Sequence, residues 1–364
     1  MMQYLAYISI GFVAFQLANV LLNLFFRQRI RKTMLPPKGK ISILIPARNE
    51  EHNIGLLLED LREMKSNSIE IIVFNDQSTD NTSSIVQNHA IADKRIKLIQ
   101  SEGLPQNWLG KNHACFQLAK QATGSYYLFL DADVRLANSI IEDAVSYLEK
   151  HHLSLLSVFP IQIQKNLSEK ISVSIMNYIL LTLLPLIFVR ISPFSSHSAA
   201  NGQFMLFRAT CYKKIQPHKI FKTSAVEDIA ISRYYKKKKI RIACITGDNR
   251  IKCRMYKNYK QALNGFSKNI FTFFGNHPAL AFLFWIFAAL GFIPVWLSQP
   301  NLLLIYISLS ALTQVFYSVI SKQNIVLSTM LFPAQLFFML QVMTTSILNH
   351  KNQQYSWKGR NIYS

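Results

Sequence analysis

Two carboxylates one residue apart, Asp131 and Asp133, stand where the apolar run Tyr126-Tyr-Leu-Phe-Leu130 ends. The run is short, aromatic and preceded by Gly124, which is the pattern of a buried strand. Side chains two apart on a strand share a face, so both carboxylates are expected to point the same way as the chain leaves the sheet. Carboxylates so placed can hold a hard divalent cation, Mg²⁺ or Mn²⁺, with substrate phosphates completing the shell. Taken alone, Asp-x-Asp reads more readily as a loop of solvated acids, and its companions reverse that. Pro46-Ala-Arg-Asn-Glu50 follows the apolar Ile41–Ile45, and Asn75-Asp-Gln-Ser-Thr-Asp80 follows Ile69–Phe74. Asp76 could accept a hydrogen bond from a base N–H while the backbone of Pro46 and Ala47 frames that base. Asp76 and Asp80 also read as a turn and a helix cap.

These groups must be brought together by the elements that carry them. From residue 40 to about 160 strands alternate with helices. Strands are expected at 41–45, 69–74, 96–99 and 126–130. Helices are expected at 51–64, 79–90, 112–123 and 139–151, the first with Ile54, Leu57, Leu58 and Leu61 on one face. Such alternation predicts an α/β fold, a mostly parallel sheet with flanking helices. Ligands of such sheets bind beyond the carboxyl ends of the strands, so the three polar loops should face one crevice. Neither a Walker A sequence nor G-x-G-x-x-G occurs, which argues against a P-loop NTPase or a dinucleotide enzyme.

The set I-P-A-R-N-E-E (45–51), N-D-Q-S-T-D (75–80), D-A-D (131–133), N-G-Q (201–203), E-D (227–228) and R-M-Y (254–256) resembles the family 2 glycosyltransferases. These are inverting enzymes of the GT-A fold that use nucleotide-diphospho sugars, and the likeness spans roughly residues 41–270. W-L-G-K-N-H-A-C (108–115), F-S-K-N (266–269) and W-K-G-R (357–360) resemble a membrane-anchored lipid subgroup, the diaponeurosporenoate and hopanoid-associated enzymes. The resemblance implies roles. Asp76 contacts the base, with Glu50 near the nucleoside. Asp131 lies near ribose and metal, and Asp133 is the direct metal ligand. Lys111 approaches the diphosphate, Gln203 lies beside the acceptor, and Asp228 is the catalytic base. Arg254 stands near where larger relatives carry Q-x-x-R-W, which implies a pyrophosphate contact; here the chain reads Lys252-Cys-Arg-Met-Tyr256, and Tyr256 would replace the tryptophan platform of the acceptor. A carboxylate acceptor would scarcely need a base, so Glu227-Asp228 points to a hydroxyl, although Asp228 could instead cap a helix starting near Ile229.

The composition adds a membrane. Half of the 364 residues are hydrophobic and only 16% are charged. Tyr4 to Phe26 is apolar and free of charge, and Arg27, Arg29, Arg31 and Lys32 follow at once. Charge after the apolar core, not before it, reads as a retained anchor with residue 27 onward in the cytoplasm. Ala279–Leu297, Leu302–Ile320 and Ile325–Leu348 are further apolar stretches, the last containing Pro333, Gln335 and Gln341 and so expected to kink or re-enter. The domains expected are an anchor (1–32), a cytoplasmic catalytic domain (33–270), transmembrane helices (271–350) and a basic tail (351–364). Ile171–Ile191, interrupted by Pro185, is expected to lie at the interface. A net charge of +21 suits anionic inner-leaflet lipids, and no nucleic-acid-binding motif accompanies it. Four scattered cysteines without a C-x-x-C pair read as buried thiols of a reducing compartment.

The expectation is a multi-pass, metal-dependent inverting glycosyltransferase of the cell membrane. It would move a hexose from UDP-glucose to a lipid acceptor such as a carotenoid or terpenoid. A glycerolipid or hopanoid acceptor, a processive polysaccharide synthase and a non-catalytic scaffold are the alternatives.

Overall fold

A computed structural model describes residues 1–33, 39–64, 66, 68–137, 139–352, 356–357 and 360–361. Lys358 and Gly359 of the W-K-G-R tetrad lie outside them. Ten strands precede the C-terminal helices: β1 (Ile41–Ala47), β2 (Ile69–Asn75), β3 (Ile96–Gln100), β4 (Tyr126–Leu130), β5 (Val134–Leu136), β6 (Leu155–Phe159), β7 (Ile161–Gln162), β8 (Phe204–Arg208), β9 (Ile242–Thr246) and β10 (Ile251–Cys253). Seven form one sheet in the order β3-β2-β1-β4-β8-β6-β9. β8 pairs antiparallel with β4 and β6, and every other pairing in that sheet is parallel. The expected mostly parallel sheet is therefore present, with one reversed strand, β8, between β4 and β6.

β1 runs on through Pro46, two residues beyond the expected Ile45. Proline lacks an N–H, but the ladder to β4 ends at Leu44, so Pro46 has a strand neighbour on the β2 side only. The helix Ile54–Glu63 buries Ile54, Leu57, Leu58 and Leu61, the face expected from their spacing. The helices Thr82–Ala92, Gly110–Gln121 and Ile140–Lys150 also appear, displaced by one to three residues from the expected ends. A second sheet, β5-β10-β7, is not visible in the periodicity because its strands are three, three and two residues long. β10 lies antiparallel to β5, with Cys253 opposite Val134.

The helix Met2–Phe25 is long and apolar enough to cross a membrane, as is Pro300–Ser321. Pro278–Leu290 and Phe292–Ser298 would make a third span if counted together across a 50° bend. Pro294 cannot donate to the Leu290 carbonyl, which accounts for a break at that point. The last apolar stretch is divided, as expected, into Ile325–Met330 and Phe332–Asn352. Its second helix is tied to the catalytic half: Gln335 donates to the Lys170 carbonyl and the Tyr259 hydroxyl to Gln341.

Segment 171–191 forms the helices Ser174–Leu183 and Ile187–Ile191. The first is buried on most of its surface against the N-terminal helix and the C-terminal helices. Pro185 deprives the Leu181 carbonyl of its helical donor. Asn23 of the N-terminal helix supplies the replacement: its amide donates to Leu181 O and Leu184 O, both at 3.0 Å. It also accepts the Leu186 N–H at 2.7 Å, while Asn19 caps Thr182 O at 2.9 Å. A polar stripe on an otherwise apolar helix thus satisfies a broken helix beside it.

Candidate active site

The loops after β1 and β2 are laced together. Ala47 O accepts the Asp76 N–H at 2.8 Å, and Arg48 donates to Asp76 O at 2.6 Å. The N–H groups of Asn49, Glu50 and Glu51 donate to Ser78 Oγ, Thr82 Oγ1 and Asp80 Oδ2. Asp76 is buried at 1% exposure directly beside Ala47, on the rim with Pro46. Asp80 instead takes the Thr82 N–H and hydroxyl. Burial works against the Asp80 charge, but these bonds prevail and lower its pKa; the N-cap of the following helix is Asn81, and Asp80 closes a turn onto Thr82 just before it.

β4 ends at Leu130, and residues 131–133 leave it in a turn closed by the Val134 N–H on Asp131 O. Strand alternation therefore does not govern the direction of Asp131 and Asp133, contrary to expectation; the turn does. Asp131 is gripped by Lys111, whose Nζ lies 2.9 Å from Oδ1 and 3.1 Å from Oδ2. Asp133 Oδ1 is buried with no hydrogen-bond partner among the described residues. Burial, then the charges of Asp131 and Glu50, push its carboxyl up to about 7, and the Cys253 thiol bonds to it. A buried acid facing two more acids is a seat that asks for a cation. Among the described residues no group of three or more His, Cys, Asp or Glu surrounds a metal position. Asp133 and Asp131 fit a divalent ion only as a partial shell, the usual arrangement for Mg²⁺ on a nucleotide diphosphate.

The same Lys111 reaches Glu227 Oε1 at 3.3 Å. Burial alone would lower the Lys111 pKa, but Asp131 and Glu227 outweigh it and hold the ammonium well above its usual value. Asp228, next along, accepts N–H bonds from Gly202 at 2.9 Å and from Ile229 at 2.8 Å. It lies inside the first turn of the helix Glu227–Lys237, whose N-cap is Val226, so Asp228 does not cap a helix starting near Ile229 as the alternative reading expects. Burial and Glu227 raise its pKa to about 7. Gly202 is what lets these groups meet: a Cβ there would lie 3.0 Å from Lys111 Nζ and 3.5 Å from Glu227 Oε1. The sheet order makes this possible, because β8, which follows Gly202, pairs with β4, which precedes Asp131.

Gln203 is buried, with Nε2 donating to Cys253 Sγ at 2.8 Å and Oε1 accepting from Gln162 at 3.2 Å. Its side chain joins β8 to the second sheet. Arg254 is paired with Glu169 at 2.6 Å. Tyr256 packs against Gly265, where any Cβ would meet its hydroxyl, and edge-on to Phe266. Burial raises the Tyr256 pKa, and the next contributor is Asp133, which places the ring beside the metal seat. The structure thus links Lys111, Asp131, Glu227 and, through Gly202, Asp228, with Asp133 within charge range of Asp131 and Glu50 and Gln203 joined through Cys253; Ala47 and Asp76 bond to each other in the loops beside them, and Arg254 is held by Glu169. Sequence reasoning missed Glu169 and Cys253. Asn166-x-x-Glu169 is a capping box that could have flagged the first. Nothing local marks the second, which depends on the β5–β10 register.

The sheet and its crevice define an α/β protein of the GT-A type. Residues 42–215, just under half of the chain, match Glycosyl transferase family 2. It is similar to the 4,4'-diaponeurosporenoate glycosyltransferase of Staphylococcus aureus, 29% identical over 258 residues covering 69% of this chain and 67% of that one. The protein of the same name from Staphylococcus haemolyticus is 26% identical over 234 residues, and the match spans 60% of its length and 63% of this chain. A mannosyltransferase from Pyrobaculum calidifontis, solved with GDP-Man and Mn²⁺, superposes with a TM-score of 0.56 at 14% identity, covering 96% of this chain and 99% of that one. That likeness concerns the fold.

Proposed function

We propose that the chain transfers a hexose, with inversion, from a nucleotide-diphospho sugar such as UDP-glucose to a lipid acceptor embedded in the membrane. A carotenoid or other terpenoid fits best, since the relatives are named for a carotenoid acid. The observation that carries the reading is the position of Lys111. One ammonium joins the carboxylate of the candidate metal seat, Asp131, to Glu227, the neighbour of the candidate base. Donor phosphate and acceptor hydroxyl would therefore be held within one side chain's reach.

Asp133 with Asp131 would hold Mg²⁺ or Mn²⁺, which when bound neutralises charge on the departing diphosphate. Asp76, with the backbone of Pro46 and Ala47, binds the base, and Glu50 holds the nucleoside side of the crevice. Lys111 supplies a point charge to the diphosphate. Asp228 takes the proton from the acceptor hydroxyl as the hydroxyl oxygen bonds to the sugar C1 and the C1–O bond to the diphosphate breaks, the nucleoside diphosphate leaving with that electron pair. A base with a pKa near 7 is matched to that task at neutral pH. Gly202 N–H fixes the orientation of that carboxylate. Gln203, through Cys253, and Tyr256 position the acceptor side, and Arg254, held by Glu169, would serve the pyrophosphate. The apolar N- and C-terminal helices support a membrane location, multi-pass with the catalytic half in the cytoplasm, and the basic residues after Phe26 would meet anionic lipids.

The test is transfer of labelled glucose from UDP-glucose into the lipid extract of membranes containing the protein, read by mass. A single-hexose lipid is expected, lost in Asp133→Ala and with EDTA. A high-molecular-weight polymer would mean a processive synthase, a glycosylated glycerolipid or hopanoid would change the acceptor, and an undisturbed phenotype of Asp133→Ala would leave only a scaffold.

A further inference from the structure

We propose that Lys111 is a resident cation of the metal seat. It holds Asp131 while no divalent ion is present and passes to the donor diphosphate and Glu227 when an ion arrives. The inference rests on the glycosyl-transfer reading above.

The two acids of Asp131-Ala-Asp133 are not equivalent. Asp131 has both oxygens within 3.1 Å of Lys111 Nζ. Asp133 has a buried Oδ1 that meets no donor. An incoming divalent ion therefore finds one carboxylate with an unclaimed buried oxygen, Asp133 Oδ1, and one carboxylate already neutralised by an ammonium. Two cations cannot share Asp131 at contact distance without strong mutual repulsion. The ammonium has somewhere to go: Glu227 Oε1 already lies 3.3 Å away, on the side of Gly202 where the missing Cβ leaves the space. A lysine suits the exchange, because its charge is a point on a flexible stem with three rotatable donors. Leaving Asp131 for Glu227 and the diphosphate also brings positive charge toward Asp228, so metal and donor binding would prepare the base.

A lysine that served the phosphates alone would have no effect on the bare ion, and one that merely held the fold would weaken both kinds of binding when removed. The resident-cation role predicts opposite signs. Mn²⁺ binding to the full-length, detergent-purified chain can be followed by the EPR signal of the free ion, with and without UDP. Lys111→Met should bind bare Mn²⁺ roughly tenfold tighter than wild type and Mn²⁺ with UDP roughly tenfold weaker, changes on the scale of other ligand-neighbour substitutions. Glu227→Gln, which leaves Lys111 with Asp131 alone, should bind bare Mn²⁺ severalfold more weakly. Thermal unfolding reports whether each variant is folded, and Glu227→Gln decides if Lys111→Met is not. Equal or weaker bare-ion affinity in Lys111→Met overturns the proposal, as does the absence of bare-ion binding in both wild type and variant. Full transfer activity in EDTA would instead remove the metal from the reaction, a failure of the underlying reading that these binding data would not mimic.

Discussion

Asp133 and Asp228 carry the strongest predictions at the scale of single residues. Both are acids whose surroundings hold the carboxyl up to about 7. A carboxyl raised above its unfolded value stabilises the fold below the unfolded pKa, and that contribution is lost as pH rises through the folded pKa. The apo protein should therefore lose stability between about pH 4 and 7 on account of these groups. Asp228→Asn removes one of them, so its thermal midpoint at pH 8 should exceed that of wild type, with the gap closing at pH 5. The same variant should lower kcat about 10²–10⁴-fold, the usual contribution of a general base. In wild type kcat should rise with pH to a plateau above about 7, with deprotonation of Asp228. A pH-independent kcat together with full activity in Asp228→Asn would remove Asp228 from the chemistry.

Between residue and fold stand short elements held by side chains that are nowhere near the reacting atoms. Glu169 is fully buried and receives Arg254, the Lys165 N–H and Asn166 Nδ2. Removing one partner of a buried ion pair costs about 3–5 kcal/mol. Glu169→Ala should approach that range in denaturant midpoint, and should also loosen the end of β10 that carries Tyr256. Asn23 is the second case. Asn23→Leu leaves the carbonyls around Pro185 without donors and should cost about 1 kcal/mol in detergent. Pro185→Ala restores an N–H for Leu181, so the double variant should lose less than the sum of the two single ones. A strictly additive cycle would show that Asn23 does not answer the proline.

For the whole molecule, the N-terminal helix is part of the folded unit as well as a greasy segment. It presents Gln16, Asn19 and Asn23 to the 178–186 region, and Arg250 reaches back to the Ile30 carbonyl from beside Asp143. Deleting residues 1–26 should therefore lower the thermal midpoint and the activity even in detergent, where no anchor is needed. An active, equally stable truncation would reduce the helix to a tether.

Much of this was legible in the chain itself. The β1, β2, β3 and β4 runs, the apolar face of Ile54, Leu57, Leu58 and Leu61, and the long apolar stretches follow from periodicity and length, which act over a few residues. Asp131, Asp133 and Asp76 stood out as candidates because acids at strand ends carry a local signature, whereas Asp228 came from the resemblance to family 2 glycosyltransferases. What they do to one another was not legible. Their convergence depends on β8 entering the sheet reversed between β4 and β6, which brings Gly202 under Lys111. The turn at 131–133, the meeting of Cys253 with Asp133 through three-residue strands, and the repair of Pro185 by Asn23 are contacts between distant positions. Sequence fixes which groups a chain can offer, because propensity and spacing are local. Only the folded sheet decides which of them share a low-dielectric crevice, and that proximity is what shifts their charges.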